Sequence, residues 1–562
     1  MTARSWPRPP RSLIAEHYHS GAWRPSTAIA DIERHIAAFP DKSAVIGWRR
    51  EAASSDVVTF AALDRAANQA ADALAKAGVT ARDVISVQLP NWWQLAALYI
   101  GCLRLDAVIH PIPPIQRERE VEQSLRLARS RHLVVPRNFG KHAYVAAART
   151  VRERLSVDLR VLSVDHDIDS KWLHLEAPHD ETTAPAPRQQ TAPDPDNVTQ
   201  LIFTSGTTGE PRGVLHTHNT LWAAIRPIPR MLGLTQHDRV LVPSTMAHQT
   251  GFLYGLSLPL MFGMTGVYQD TWDPAVFVDL VRHHEVSLVS GSAAFAMDSC
   301  DEMERQQLST PSLRTFRTGG APIPDSLVAR VRRFMGAQLL ASWGMTENGI
   351  CAMSRPTEAD TLIAASDGAA LPGVHLRVVA SDGTLQPPGL EGALHVRTPS
   401  LAIGYLHRER EFAEKLGSDG WFETGDRGYL TSDGHLRITG RDKDIIIRGG
   451  ENVPVAEVEN ALYVLPDVKH VAVVAVPDER LGERACAVIV TKSGQPVSIE
   501  DVKTHLAALG MAIQYWPEFV LAASTMPMTP AGKVRKDILR ELARVEVTRI
   551  RSEGTDLGAT RR

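Results

Sequence analysis

Short apolar runs alternate with helical patterns in the first part of the chain. Three runs have the length of β-strands: VVTF (57–60), VISVQLP (84–90) and AVIHPI (107–112). Between the first two, apolar residues recur at helical spacing: Leu63, Ala67, Ala70 and Leu74. Asn91 is predicted to cap a second helix, NWWQLAALYIGCL. This β-α-β-α-β order predicts an α/β fold with an open, largely parallel sheet.

The pattern changes beyond about residue 440. Two apolar segments predict strands, VKHVAVVAVP (468–477) and RACAVIVTK (484–492). Two further segments predict helices, IEDVKTHLAALG (499–510) and KDILRELARV (536–545). We therefore expect a large N-terminal α/β domain of several subdomains over residues 1–441. A small, mobile α+β domain is expected over residues 442–562.

Two segments are predicted to be irregular. The stretch 179–197 is rich in Pro, Thr and Ala, which is typical of a surface linker. The charged tail from about Glu546 is expected to fray.

One stretch has to be weighed against a membrane span. No residue between Arg239 and Asp270 carries a formal charge, and the part TGFLYGLSLPLMFGMTGVY is long enough to cross a bilayer. Several glycines, a proline and several hydroxyl groups interrupt it. We therefore expect a buried segment and no membrane span, and we leave peripheral membrane contact open.

Composition and charge narrow the class of protein. The 562 residues include 44% hydrophobic and 22% charged ones, which is typical of a globular protein. Lys and Arg total 61 against 64 for Asp and Glu, so the net charge is −3 and nucleic-acid binding is not expected. The four cysteines form no CxxC pair, which argues against disulfides or structural zinc and favours a reducing compartment. The N-terminal segment lacks the apolar core of a secretory signal, so we expect a cytoplasmic protein.

The strongest chemical signal is TSGTTGEPRGV (204–214), which directly follows the apolar strand LIF (201–203). Its glycines permit close backbone approach, its hydroxyl and N–H groups can surround an anion, and Arg212 adds a positive charge. Such a loop could hold a triphosphate, although it lacks the Lys-Ser/Thr pair that closes a P-loop. An ordinary surface loop is the alternative.

Two further segments carry weaker signals when each is taken alone. In ASWGMTENG (341–349), Glu347 could hold Mg²⁺ beside a triphosphate and Trp343 could stack on a base. A core aromatic and a helix-start acid are the alternative there. In GWFETGDRGYL (420–430), Asp426 could accept from a ribose diol, with a plain β-turn as the alternative.

The last two segments lie at and beyond the change in pattern. ITGRDKDIIIRGGENVPVAEVENAL (438–462) concentrates positive charge before a glycine pair, which is consistent with a hinge. In PMTPAGKVRKDIL (527–539), Lys533 follows a turn and could be presented at a loop tip, although a solvated lysine is the usual finding.

The order and spacing of these five motifs resemble the AMP-forming adenylating superfamily. That superfamily includes acyl- and aryl-CoA synthetases, carrier-protein adenylation domains and beetle luciferases. The resemblance covers about residues 25–545. The segments MAHQTGFLYG (246–255), RGGENVPVAEVE (448–459) and PDERLGERACA (477–487) are most similar to CoA ligases for medium-chain and alicyclic acids.

The resemblance implies a two-step reaction. MgATP and a carboxylic acid would give an acyl-adenylate and pyrophosphate, and the thiol of coenzyme A would then displace AMP. The phosphate loop is implied to grip the β- and γ-phosphates through Thr204, Ser205, Gly206, Thr207, Thr208 and Gly209, with Arg212 beside it. Thr346 would contact the α-phosphate, and Glu347 and Thr204 would hold Mg²⁺.

The remaining implied roles divide between the nucleoside and the moving domain. Adenine would be lined by Gly320, Ala321, Pro322 and Trp343, and Asp426 and Arg441 would bind the ribose. Lys533 would bridge the acid and the α-phosphate, with His248 beside the acyl carboxylate. Lys443 is implied as the hinge, about which a rotation would bring the loop of Gly449, Gly450 and Glu451 to the thiol channel.

Two residues depart from the family pattern. Arg212 stands where Lys is usual, which keeps the charge but changes its geometry. Trp343 stands where Tyr or Phe is common, which keeps a stacking ring but reshapes its slot. Neither departure removes a core catalytic group.

The acyl pocket is implied to lie near three segments: Trp222–Met231, His248–Leu256 and Gly291–Ala296. Small residues in the third segment favour a bulky or elongated apolar acid. Arg226 and Arg230 could pair with a second carboxylate, but a solvent-facing or phosphate-side position is favoured.

The reading that the sequence favours is an ATP-dependent acid–CoA ligase. The resemblance leaves a homodimer open. One rival is transfer of the acyl group to a carrier protein's phosphopantetheine thiol. A second is a non-catalytic nucleotide-sensing protein, against which Glu347, Asp426, Arg441 and Lys533 argue. A membrane transporter is a remote third.

Overall fold

The computed structural model describes most of the chain. The described residues are 6–155, 157–165, 172–176, 193–204, 211–319, 323, 325–441, 446–448, 451–478, 481–511, 513–529 and 532–552.

The strands of this described part are, in chain order, β1 Ser43–Arg49, β2 Ser54–Thr59, β3 Val84–Val87, β4 Val108–Pro111, β5 His132–Pro136, β6 Arg160–Val164, β7 Leu173–Leu175, β8 Val198–Thr204, β9 Arg212–Thr217, β10 Arg239–Leu241, β11 Thr265–Gln269, β12 Leu288–Gly291, β13 Thr315–Gly319, β14 Gln338–Met345, β15 Gly349–Met353, β16 Ala369–Ala370, β17 His375–Val379, β18 Gly392–Arg397, β19 Gly404–Tyr405, β20 Phe422–Leu430, β21 Leu436–Arg441, β22 Ile446–Arg448, β23 Glu451–Val453, β24 Val468–Asp478, β25 Gly482–Thr491 and β26 Phe519–Ala522.

The α-helices of the described part are α1 Arg11–His19, α2 Ala28–Ala38, α3 Phe60–Lys76, α4 Trp93–Arg104, α5 Glu118–Ala128, α6 Tyr144–Arg154, α7 His218–Ile225, α8 Pro227–Leu232, α9 Leu258–Met261, α10 Pro274–His283, α11 Ala293–Gln306, α12 Asp325–Arg330, α13 Asp360–Ala365, α14 Glu409–Lys415, α15 Val455–Tyr463, α16 Ile499–Ala508 and α17 Lys536–Ser552. Two π-helical segments, Gly251–Ser257 and Val331–Met335, and a 3₁₀ turn, Ile513–Tyr515, accompany them.

Two large mixed sheets dominate the N-terminal part. One has nine strands in the order β16-β15-β14-β13-β12-β10-β11-β1-β2, and the other has eight in the order β19-β9-β8-β4-β3-β5-β6-β7. The inner pairs are parallel in both, and the outer pairs are antiparallel. The predicted α/β class is confirmed, because helices connect the parallel strands and cover the apolar faces.

Two details of the predicted sheet are wrong. VVTF does not join the parallel sheet, because β2 pairs antiparallel with β1 at the edge of the nine-stranded sheet. The helix also begins earlier than predicted, at Phe60, because the Thr59 hydroxyl accepts from the Ala62 amide and caps it. The strands β3 and β4 do lie parallel to one another.

Asn91 does not cap α4, which begins after Trp92 without a side-chain cap. Its side-chain amide instead donates to the Ser244 carbonyl at 3.2 Å and accepts from the Met246 amide at 2.9 Å. Asn91 therefore joins the end of the eight-stranded sheet to a loop of the nine-stranded sheet.

The uncharged stretch is buried as predicted. The π-helical segment Gly251–Ser257 and α9 (Leu258–Met261) have no exposed residue and pack into the largest apolar cluster. Among the described helices, none combines the length and the apolar character that a membrane crossing requires.

A separate five-stranded sheet (β22 to β26) organises the C-terminal part, and it follows the four-stranded sheet β17-β18-β20-β21. The predicted strands and helices correspond to β24, β25, α16 and α17. The tail does not fray at Glu546, because α17 runs on to Ser552 and buries Val547 against this sheet. Residues 553–562, and 179–192 of the predicted linker, lie outside the described part.

Candidate active site

A cleft opens where β12, β13 and β14 end side by side. The space between its walls, with open solvent at its mouth included, is about 660 Å³. The walls come from these strand ends, the loop 244–250 and the π-helical segment Gly251–Ser257. Lys533, which lies between β26 and α17 in the C-terminal part, completes the lining. Ligands of open α/β sheets bind at the carboxyl ends of parallel strands, so the cleft has the expected position for a site.

Two glycines let the backbone pass closely at this edge. A Cβ on Gly319 would lie 2.1 Å from the carbonyl oxygen of Ser342, and one on Gly344 would lie 2.0 Å from that of Gly349. Real Cβ atoms do not approach backbone oxygen so closely. A side chain at either position would therefore force the strand ends apart.

A turn before α17 carries Lys533 into the cleft. The Thr529 hydroxyl accepts from the Lys533 amide at 3.1 Å, and Gly532 has a φ of +73°. The α-carbon of Gly532 packs so closely on α11 that a Cβ would meet Ser292 Oγ at 2.3 Å. The C-terminal part is therefore docked on the cleft, and Lys533 lines it.

His248 shares this end of the cleft with Lys533. Burial lowers the pKa of His248 to about 4, and the charge of Lys533 lowers it further in the same direction. The imidazole is therefore neutral near pH 7. It can donate or accept a hydrogen bond there but does not compete with Lys533 for an anion.

Thr346 and Glu347 follow β14 and are held by side chains that the sequence reasoning missed. The Nε2 atom of His216 lies 2.9 Å from the Thr346 carbonyl oxygen, and burial lowers the pKa of His216 to about 4. The Tyr405 hydroxyl donates to Glu347 Oε1 at 2.7 Å, in buried surroundings. Burial, with the adjacent Glu347 carboxylate, raises the pKa of Tyr405.

Arg212 forms an ion pair and also lies beside an aromatic ring. It lies opposite Thr204 across the β8–β9 pair, and it forms an ion pair with Glu411. Its guanidinium carbon also lies 5.5 Å from the centre of the Tyr405 ring. In this state Arg212 braces the tyrosine that holds Glu347.

Trp343 and Asp426 meet directly. The indole Nε1 donates to Asp426 Oδ2 at 2.8 Å, and both residues are buried. The ring packs in an apolar cluster, as the core-aromatic alternative expected. Asp426 also lies opposite Arg441 across β20 and β21, which places the two predicted ribose ligands in one cross-strand pair.

The predicted site residues that lie outside the described part are Ser205, Gly206, Thr207, Thr208, Gly209, Gly320, Ala321, Pro322, Lys443, Gly449 and Gly450. For Arg441 and Glu451 the structure describes the backbone strand only. Neither Arg226 nor Arg230 lines the cleft; Arg226 donates to the Gly21 carbonyl at 3.0 Å.

Several cleft residues were not singled out from the sequence. Arg317, on β13, is buried and lines the cleft, and Gln249 lies in its wall. Arg317 directly precedes the segment TGGAP (318–322), which holds the implied adenine residues, and this position is a signal that could have found it. Nothing in the local pattern distinguishes Gln249 or Tyr405.

Comparison with known proteins assigns the class. The family model for AMP-binding enzymes matches residues 32–406, and that for the AMP-binding enzyme C-terminal domain matches residues 457–533. The first match covers more than half of the chain. The chain therefore belongs to the AMP-binding enzyme family, and the resemblance found in the sequence is confirmed.

Individual relatives narrow the class further. A medium-chain fatty-acid–CoA ligase of Escherichia coli (strain K12) is 32% identical over 94% of this chain and 92% of its own length. A salicylyl-CoA synthase / salicylate adenylyltransferase of a Streptomyces species is 30% identical, over 97% of this chain and 98% of its own. The solved anthranilate CoA ligase AuaEII, in complex with anthranoyl-AMP, has a TM-score of 0.82 at 21% identity and covers 93% of this chain and 98% of its own, so it shows the fold alone.

The particular chain is an ATP-using, AMP-forming acid–thiol ligase, an acyl-CoA synthetase that makes an acyl-adenylate and then a CoA thioester.

Proposed function

We propose that Lys533 and His248 form the adenylation centre of this ligase, acting on a carboxylic acid with an apolar body. The observation that carries the proposal is the docking of Lys533 into the same cleft that His248 and Thr346 line. A cation at this point favours the charge that develops when an acid oxygen attacks phosphorus.

In the first step a carboxylate oxygen of the acid forms a bond to the α-phosphorus of ATP. The bond from that phosphorus to the bridging oxygen breaks, and pyrophosphate leaves with the electron pair. Lys533 would hold the attacking carboxylate and the α-phosphate together, and neutral His248 would orient the carboxylate by a hydrogen bond. Thr346 would hold the α-phosphate.

In the second step the sulfur of coenzyme A bonds to the acyl carbon. The bond from that carbon to the phosphate oxygen breaks, AMP leaves, and the thiol proton passes to solvent. We propose that the C-terminal part, from about residue 442, first undocks and withdraws Lys533. A loop that includes Gly449, Gly450 and Glu451 would take its place, turning about Lys443.

The residues present fit a magnesium ion. Glu347 offers a carboxylate and Thr204 a hydroxyl, and Mg²⁺ takes oxygen ligands, usually one or two carboxylates together with substrate phosphates. The ion would neutralise charge on the β- and γ-phosphates when bound. The protein's own contribution is to hold the Glu347 carboxylate in place through the hydrogen bond that the Tyr405 hydroxyl donates to it.

The nucleoside is proposed to lie against β14 and β20, with Asp426 and Arg441 at the ribose and Trp343 beside the adenine slot. The phosphate loop of Thr204 to Gly209, with Ser205, Gly206, Thr207 and Thr208, would hold the β- and γ-phosphates. Gly320, Ala321 and Pro322 would line the adenine.

The acid itself is chosen from the cleft and the relatives. Leu253 and Ile350 give the cleft apolar wall, and Gly291 leaves room beside it. The two relatives are named for a fatty acid and for salicylate, so they support a monocarboxylate with either an aliphatic or a ring body. A cytoplasmic location and a homodimer remain part of the proposal; the four cysteines are buried and free, which suits a reducing compartment.

The test is AMP release from ATP and Mg²⁺ with fatty, alicyclic and aromatic acids, each with and without CoA. Turnover that requires one acid class and CoA supports the ligase. Stoichiometric adenylate that ignores CoA would favour a carrier-protein thiol as the acceptor. Silence with every acid would contradict the proposed chemistry.

A Lys533→Ala variant tests the residue roles. It should lose adenylation by at least ~100-fold while it still transfers a supplied acyl-adenylate to CoA. The matched control is Lys492→Ala, an exposed lysine whose Nζ donates to the Pro466 carbonyl at 3.1 Å. Equal loss of both half-reactions would show that Lys533 is not specific to the first.

A further inference from the structure

A buried arginine lies in the wall of the cleft beyond the proposed adenylation centre. Arg317 on β13 is 6% exposed. Its guanidinium donates to Ser342 Oγ at 3.1 Å and to Ser290 Oγ, and its carbon lies 4.9 Å from the centre of the Tyr254 ring. The two serines stand on the neighbouring strands and the ring belongs to the π-helical segment. The arginine is therefore held in place by its neighbours, and it lines the cleft in which the acid is proposed to bind.

The groups that contact the Arg317 guanidinium are uncharged. Within the ranges that the structure describes, the contacts of Arg317 are two hydroxyl groups and an aromatic ring, and no carboxylate forms an ion pair with it. Burial lowers its pKa to about 10, which still leaves it charged near pH 7. A buried charge is costly without an opposing charge or strong acceptors, so an arginine kept here needs a compensating group.

Two other side chains of the same wall, Gln249 and Tyr254, have polar atoms that can still form hydrogen bonds. The side-chain oxygen and nitrogen of Gln249 are both buried without a hydrogen-bond partner among the described residues. The Tyr254 hydroxyl accepts from the Ile350 amide at 2.9 Å, so its own hydrogen is available to an acceptor in the cleft. All three residues line the cleft. A purely hydrocarbon acid would leave these groups unsatisfied in the complex.

We propose that Arg317 determines specificity by binding an oxygen acceptor, a carboxylate or a carbonyl, on the acid's body and separate from the carboxyl group that reacts. Gln249 and Tyr254 supply further hydrogen bonds to the same substituent. Leu253 and Ile350 hold the apolar part between the two polar ends. This rests on the proposed function, because it assumes that the cleft holds the acid during adenylation.

The experiment compares acids that differ only in this substituent. Cyclohexanecarboxylate, 4-oxocyclohexanecarboxylate and cyclohexane-1,4-dicarboxylate form one series, and hexanoate, 5-oxohexanoate and hexanedioate form another. For each acid, kcat/KM is measured by AMP release with saturating ATP, Mg²⁺ and CoA. The wild type should prefer an oxo or carboxyl acid over its unsubstituted partner by at least ~10-fold, because a site with buried donors rejects a ligand that leaves them unpaired.

The variants assign that preference to the arginine. Arg317→Met keeps much of the volume and removes the charge, so it should lose the preference or favour the unsubstituted acid. Arg317→Lys should keep part of the preference for the carboxyl acid. Arg333→Met, at an exposed position on the π-helical segment Val331–Met335, is the matched control and should behave as the wild type. ATP-dependent stabilisation against heat checks that each variant is folded.

The outcomes separate this proposal from the proposed function. An equal loss for all acids in Arg317→Met and Arg317→Lys would overturn it, because it would mean that Arg317 supports the strands or holds the reacting carboxylate. A wild type that prefers unsubstituted acids would overturn it as well, while leaving the ligase intact. The carbonyl and carboxyl arms show which acceptor the site takes. No AMP from any acid would overturn the proposed function and this inference together.

Discussion

The hydrogen bond between Trp343 and Asp426 gives the sharpest test of the nucleotide site. A Trp343→Phe variant keeps an aromatic ring but removes the indole N–H that lies 2.8 Å from Asp426 Oδ2. If Asp426 binds the ribose hydroxyls, this N–H is a positioning group for a ribose ligand. If Trp343 instead acts on adenine, the same change affects the base.

The expected size follows from the partners. A hydrogen bond to a charged group contributes about 1.5–3 kcal/mol, and the pair is buried, so solvent screens it little. At about 1.4 kcal/mol per tenfold, this corresponds to at most about a 10- to 150-fold effect on any step that needs Asp426 in place. The free energy of unfolding is expected to fall by the same amount, about 1.5–3 kcal/mol.

The assay compares kcat/KM for ATP with that for 2′-deoxy-ATP and 3′-deoxy-ATP in the adenylation half-reaction. The wild type should prefer ATP, and Trp343→Phe should reduce that preference because Asp426 is no longer fixed. Trp23→Phe is the matched control, since the Trp23 indole is also buried and donates at 2.8 Å, but to the Pro399 carbonyl. That control should lose stability without a change in sugar preference.

One result would refute the reasoning. If Trp343→Phe leaves the ratio of ATP to deoxy-ATP unchanged but alters the ratio of ATP to GTP, the indole recognises the base and does not position Asp426.

Three further predictions concern the same cleft. Tyr405→Phe removes the hydroxyl that donates to Glu347 at 2.7 Å, so urea unfolding should show a loss of about 1.5–3 kcal/mol, and AMP release should need more Mg²⁺; an unchanged Mg²⁺ requirement would contradict the positioning role. The pKa of His248 is lowered from 6.5 to about 4, so the kcat/KM profile should show no ionisation of this residue near pH 6.5, and its contribution to stability should fall as the pH drops from 6.5 towards 4; a limb near 6.5 that disappears in His248→Asn would contradict this. Gly344→Ala should sharply reduce both stability and adenylation, because its Cβ would lie 2.0 Å from a backbone oxygen, whereas Gly47→Ala, with its closest contact at 3.9 Å, should be tolerated.

The sequence predicted the class of fold because periodicity reports burial. β3 and β4 lie within the apolar runs 84–90 and 107–112, and α17 begins with the predicted helical segment 536–545. It could not assign VVTF to a sheet, because β2 is placed by its long-range pairing with β1, and nothing local encodes that partner. The prediction that Asn91 caps a helix was wrong for a similar reason, because its side chain forms hydrogen bonds with Ser244 and Met246, which are distant in sequence.

The site shows the same division. Motif order led to Lys533, and the structure places it in the same cleft as His248, although the two residues are 285 positions apart in the sequence. Arg317 was missed because its meaning depends on which neighbours lack a charge, and this becomes visible only when the serines of adjacent strands are in place. Contacts between distant segments are therefore where the structure adds most.

The bridge made by Asn91 bears on how substrate range can change in such a ligase. The loop that carries His248 and Gln249 is held by two hydrogen bonds, at 3.2 and 2.9 Å, to the side chain of Asn91, which follows β3 of the eight-stranded sheet. Substitutions that alter these hydrogen bonds would shift the His248 end of the cleft, while the ends of β12, β13 and β14 stay in place. A lineage could thus drift from one acid to another by substitutions near this bridge, with its use of ATP conserved throughout.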